Sequence, residues 1–136
     1  GLGKRVSLQE ARAVFPGLLL PATATAPALY LAHGNVLSLV FVHEGEPVLL
    51  SELLGGGGIY LKKLAAGSTG IEEVHVGDAF GLWLSGGPHV FFTPQRSSRL
   101  AGNVLLWESD STTYRLEGRK LGKSEALAIA ESLRRG

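Results

Sequence analysis

Four histidines, His33, His43, His75 and His89, are the side chains of this chain best suited to metal binding or proton transfer. Zinc-binding histidine pairs share a short helical or loop spacing such as His-Glu-x-x-His, because both rings must reach one ion. Here the histidines are ten or more residues apart. His43 adjoins a turn and His75 sits between Val74 and Val76 in a strand-like run, so no metal site is expected. Ser85 lies in Trp83-Leu84-Ser85-Gly86-Gly87, which lacks the first glycine of Gly-x-Ser-x-Gly and is followed by no helix signal. A Ser-His-Asp triad would need Asp78 or Asp110, and both fall in tight turns. The run Gly55-Gly56-Gly57-Gly58 precedes Lys62-Lys63, but a P-loop places its lysine directly after the last glycine and then opens a helix. Glu44/Glu46 and Glu72/Glu73 pair carboxylates at a turn and at a strand start, both solvated. Two carboxylates divide into acid and base only where a pocket separates their pKa values. No catalytic residue, metal or cofactor is assigned.

Binding is the remaining chemistry. Trp83, Phe91, Phe92, Trp107 and Tyr114 fall on neighbouring strand patterns and read as core, the alternative being a concave face for an apolar ligand or partner strand. Trp83 and His89 are expected to lie close across a Gly86-Gly87 hairpin, which makes them the first binding candidates. Lys62 and Lys63, beyond the glycine loop, are the second.

These residues must be positioned by a mainly β framework. Ser7, three residues before Glu10, spells a capping box, and Leu8, Ala11, Val14 and Phe15 form one helical face that Pro16-Gly17 ends. From Leu18 to Pro27 the composition suggests an extended surface connector. Strands are expected at 28–33, 36–43, 47–53, 59–64, 71–76, 79–85 and 88–93, with Pro94 to Ala101 a polar loop. A final hairpin pairs Gly102–Glu108 with Thr112–Glu117 about Asp110-Ser111. That turn sets Trp107 opposite Tyr114 and Leu105 opposite Leu116, with Leu106–Arg115 and Glu108–Thr113 on the other face. Ser124 is expected to cap a last helix whose stripe is Ala126, Ile129, Ala130 and Leu133, with Arg134 and Arg135 at its negative end. The fold class is α+β: a curved antiparallel sheet of about seven or eight strands in meander order, with an N-terminal and a C-terminal helix packed on it.

Composition bounds the partners. The 136 residues, 45% hydrophobic and 18% charged, suit one domain covering 1–136. Thirteen basic against twelve acidic residues leave a net charge of +1, which gives no electrostatic case for nucleic acid. No cysteine is present, so disulfides, thiolate catalysis and cysteine-based zinc sites are excluded. No apolar run approaches the roughly 18 residues of a membrane span. Methionine is absent, even at position 1, and the expectation is a domain excised from a longer protein.

Three segments carry a resemblance: Ala101-Gly102-Asn103-Val104-Leu105-Leu106-Trp107-Glu108, then Thr113-Tyr114-Arg115-Leu116-Glu117-Gly118, then Glu125 to Leu133. Together they resemble the C-terminal part of a bacterial domain-of-unknown-function family found outside the membrane in single-pass anti-sigma factors and related envelope proteins. Gly81-Leu82-Trp83-Leu84-Ser85-Gly86, Pro88-His89 and the hairpin from Val36 to Leu53 resemble it too. The resemblance implies a membrane-tethered parent with a cytoplasmic sigma-binding region, one transmembrane helix, and this domain in the cell envelope. It assigns no catalytic residues. Contact with a sigma factor or the membrane would run through parts of the parent outside these residues. The resulting expectation is a non-enzymatic extracytoplasmic sensory or protein-interaction domain whose partner is an envelope protein or a small ligand. A carrier of lipid or another small apolar ligand is the alternative, and an envelope hydrolase the third.

Overall fold

A computed structural model describes residues 1–22, 26–54, 71–85, 89–93, 96–101 and 103–135, with only the backbone pairing of 89–93 and 96–101. Its centre is an eight-stranded, wholly antiparallel sheet. In spatial order the strands are β1 (Lys4–Val6), β3 (Ala28–Ala32), β4 (Val36–His43), β5 (Glu46–Leu54), β11 (Thr112–Gly118), β10 (Asn103–Ser109), β7 (Ala79–Leu84) and β6 (Ile71–Val76). Helices α1 (Leu8–Val14) and α2 (Lys123–Ser132) complete the α+β fold that the hydrophobic pattern predicts. A short pair joins β2 (Leu19–Leu20) to β12 (Arg134–Arg135), and another joins β8 (His89–Thr93) to β9 (Arg96–Ala101).

The β10–β11 hairpin has the register expected from its turn. Trp107 faces Tyr114, Leu105 faces Leu116, and Asp110 and Ser111 both have positive φ, the requirement of a two-residue type I′ turn. The two rings stack with centroids 5.1 Å apart, a cross-strand pair worth roughly 0.2–1 kcal/mol over small residues. Their hairpin is also the middle of the sheet: β11 pairs with β5 and β10 pairs with β7.

One face of the sheet is apolar and carries both helices. Leu37, Leu39, Leu50, Trp83, Leu105, Trp107, Tyr114 and Leu116 are buried there against Ala11, Phe15, Leu18, Ala126, Ile129 and Ala130. Helix α1 begins with the predicted capping box: Glu10 N–H donates to Ser7 Oγ at 3.1 Å, and Ser7 N–H donates to Glu10 Oε1 at 2.9 Å. Replacing Ser7 with Ala should lower stability by about 1 kcal/mol and Ser7→Gly by a few tenths, measured by chemical denaturation. Equal losses from both would show that the hydroxyl does not cap. Val14 is exposed rather than part of the buried face, because α1 packs mainly on β3, beside the edge strand β1, and a narrow stripe suffices.

The opposite face is mixed. A cross-sheet row places Tyr30, Ser38, Ser51 and Arg115 beside Leu106 and Leu82. Leu82, Leu84, Val104 and Leu106 form a second buried apolar cluster.

Several sequence expectations change. No β7–β8 pairing forms among the described residues, because β6 and β10 already occupy both edges of β7; β8 pairs with β9 instead. Residues 96–101, expected as polar loop, supply that partner strand. The start of the expected surface connector is buried, with Leu18 in the core and β2 paired to β12. Helix α2 starts before Ser124: Gly122 is its N-cap, and Glu125 reaches back to accept the Gly122 N–H at 3.2 Å. Arg134 and Arg135 extend as β12 instead of ending the helix, pairing with Leu20 and Leu19. The strand expected at 59–64 lies outside the described residues.

Candidate functional site

Strands β4 and β5 end in a tight turn. His43 and Glu46 are the last cross-strand pair, and the two residues between them, Glu44 (φ 50°) and Gly45 (φ 81°), are both left-handed. Such a type I′ turn favours Asn, Asp or Gly at both positions, and Glu44 carries a long side chain there against that preference. Beside the turn, β11 leaves the sheet at Gly118 and the chain folds back toward α2. A Cβ on Gly118 would stand 3.2 Å from Leu121 Cβ and 3.5 Å from Val48 Cγ2. The missing side chain therefore lets the connection pack closely on β5. Asn103 Nδ2 donates to the Leu121 carbonyl at 2.8 Å and holds that connection in place.

The close return brings the first turn of α2 to the β4–β5 turn. His43 Nε2 lies 3.2 Å from Glu125 Oε2 and 3.5 Å from Glu44 Oε2. One ligand-capable atom from each of His43, Glu44 and Glu125 falls within 4.8 Å of the others. Hydrogen bonding with the Glu44 carboxyl, then with the Gly122 N–H and with His43, holds the Glu125 carboxyl below the usual carboxylate range. Beside this cluster opens a cleft of about 150 Å³, walled by Pro47, Val48, Gly118 and Leu121 and rimmed by Arg119 and Lys120. Its size suits a benzene-sized group or the end of a side chain. Arg119 sits 3.7 Å from Glu46 across the rim. An apolar floor, two cations and a histidine–carboxylate cluster can hold an anion or a metal ion.

Two buried polar groups lie away from the cleft. Glu52 is only 1% exposed on the helix-covered face, opposite Leu37 and Tyr114. Its Oε1 accepts the Leu19 N–H at 3.2 Å, while its Oε2 has no partner among the described residues. Burial pushes its carboxyl up to about 8, against the smaller opposing effect of the Leu19 hydrogen bond. The neighbouring Tyr114 phenol is pushed up to about 12, first by burial and then by the Glu52 charge. On the other face Arg115 Nε meets Glu117 Oε2 at 2.7 Å, with both residues nearly buried.

The residues singled out by sequence fall on separate elements where they are described. Trp83 is 6% exposed and packs in the core beneath the helices. His89 opens β8, in a different sheet, with its backbone opposite Ala101. Lys62 and Lys63 lie outside the described residues. Ser85 follows β7 at one end of the sheet, whereas Asp78 and Asp110 occupy turns at the other. Six residues of strand separate those ends by roughly 20 Å, too far for a triad. The carboxylate pairs also separate: Glu46 turns to Arg119, and Glu72 forms an ion pair with Lys123. Sequence reasoning missed Glu125, which reads as a helix-start acid, and missed Glu44 as its neighbour because the two stand 81 positions apart. The legible signal was a long acidic side chain where a type I′ turn prefers Asn or Gly. No protein-family model, curated protein or solved structure matches this chain.

Proposed function

We propose that this chain is a non-enzymatic sensory or interaction domain, acting outside the membrane in a parent of the anti-sigma-factor type, with the cleft beside His43 as its recognition site. One observation carries the reading: the walls of the cleft come from the β4–β5 turn, the β11 exit and the first turn of α2. An occupant therefore contacts the sheet and the C-terminal helix at once, and differential binding to their docked arrangement would shift a two-state equilibrium. Helix α2 has the ties such an element needs. Glu125 meets His43 at one end of the helix, and Glu131 accepts the Gly77 N–H at 3.1 Å toward the other. The resemblance of β10, β11 and α2 to envelope domains supports the location and the signalling role.

The test uses the parent protein in its host. Reversing the rim with Arg119→Glu and Lys120→Glu should alter induction of a sigma-dependent reporter under envelope stress, while the parent still co-purifies with its sigma factor. Thermal-shift screening of this domain against fractions of envelope extract should give a stabilising fraction that the rim variant no longer recognises. Normal induction after deletion of the domain, with no stabilising fraction, overturns the proposal. Lipid recovered from the purified domain by extraction and mass spectrometry would overturn it in favour of an apolar-ligand carrier.

A further inference from the structure

We infer that His43, Glu44 and Glu125 form a binding site for a first-row divalent transition-metal ion, with zinc the best fit. Donors arranged tetrahedrally at about 2.0 Å from zinc stand about 3.3 Å from one another. Two of the three donor separations here are 3.2 and 3.5 Å, and the third is within 4.8 Å. One imidazole and two carboxylates are a hard-to-borderline set that suits zinc.

The Glu125 ligand is already oriented. Its Oε1 accepts the Gly122 N–H in the capping box, which leaves Oε2 directed at His43. An outer hydrogen bond of this kind fixes the geometry of a ligating carboxylate. Three protein donors leave a coordination position open, and the 150 Å³ cleft lies beside them. Water or a small anion can fill that position, with Arg119 and Lys120 on the rim to favour the anion. The ion would also staple the β4–β5 turn to α2, two segments 82 residues apart in the chain at His43 and Glu125. The site deepens the reading of the cleft as the recognition site and rests on it for biological meaning, while metal binding itself can be measured alone.

Zinc titration of the chelator-stripped domain by calorimetry tests the proposal. The expected result is saturable one-to-one binding, a rise in melting temperature with added zinc, and a low-symmetry visible spectrum with cobalt(II). The absence of cysteine removes thiolate background. Glu125→Gln keeps a residue that completes capping boxes but loses the carboxylate, and should weaken binding about tenfold or more. Glu44→Gly suits the left-handed backbone better than glutamate, so it should raise the melting temperature of the metal-free domain while abolishing the zinc response. His75→Ala, at an exposed residue outside the cluster, should change neither. Absence of saturable binding, or binding untouched by both Glu44→Gly and Glu125→Gln, overturns the site. The two readings fail separately: a reporter that responds to the rim but not to zinc overturns only the ion, and zinc binding without a reporter effect overturns only the sensory role.

Discussion

Glu52→Gln should make this domain more stable at pH 8.5 and leave it nearly unchanged at pH 5. In the folded chain the Glu52 carboxyl is pushed from 4.5 up to about 8 by burial. In the unfolded chain it returns to the ordinary value. Between those values the folded state holds a proton that the unfolded state has released, so folding stability falls as pH rises from about 4.5 to about 8. Each pH unit of displacement corresponds to about 1.4 kcal/mol, so the full loss is on the order of 3–5 kcal/mol. Above pH 8 a charge would sit between Leu37 and Tyr114, with its Oε2 unpartnered among the described residues. Glutamine keeps the carbonyl oxygen that accepts the Leu19 N–H and carries no charge, so its stability should not change across this window. Urea denaturation of both proteins at pH 5 and pH 8.5 makes the comparison, and subtracting one from the other removes titrations common to both. Parallel pH profiles would show that water reaches the carboxylate and that Glu52 ionises in place. The same experiment reports on β2, because Glu52 ties this strand to the sheet and β2 in turn holds β12.

Arg115→Met should cost roughly 3–5 kcal/mol, the loss expected when one member of a buried ion pair is removed and the other charge stays behind. Arg115 and Glu117 are 4% and 8% exposed and follow each other on one face of β11, a central strand. Adding Glu117→Gln to the Arg115→Met variant should recover part of the loss, because it removes the stranded charge. A denaturation midpoint that falls for the single variant and rises again for the double, at unchanged m value, is the expected pattern. A single variant within about 1 kcal/mol of the native chain would mean that Glu117 finds water or another cation, and that the pair is not a buried one in energetic terms. A double variant no better than the single would assign the cost to the lost packing of the arginine stem.

Both predictions concern residues whose roles strand alternation alone obscures. Glu52 stands in a run that reads Glu-Pro-Val-Leu-Leu-Ser-Glu-Leu-Leu, where an acid near a strand end suggests solvent. It is buried because β11 and β4 flank it and the chain at Leu19 passes over it, and these three segments are far apart in sequence. The same reason hid the cluster at His43. Residues as near in sequence as Glu44 and Glu46 look like a pair on paper, yet the left-handed turn at Glu44-Gly45 sends one to Glu125 while the other, at the start of β5, meets Arg119.

What the sequence determined by itself is local. Turn chemistry at Asp110-Ser111 and the alternation of Leu105, Trp107, Tyr114 and Leu116 set the register of the last hairpin, because a slip of one residue would reverse its faces. The Ser7–Glu10 capping box, the buried stripe of α2 and the α+β class follow from patterns spanning one or two turns of chain. The tertiary structure alone decided which strand edges were already taken. The β10–β11 hairpin sits between β5 and β7, so β7 has no free edge for β8, and the meander-like order of the sheet does not extend to the expected β7–β8 hairpin. It also decided which polar groups met, since those contacts depend on long loops closing and leave no periodic trace in the residues that make them. The chain therefore shows its sheet in its sequence, and its candidate site only once β11 has turned back at Gly118 and laid α2 beside the His43 turn.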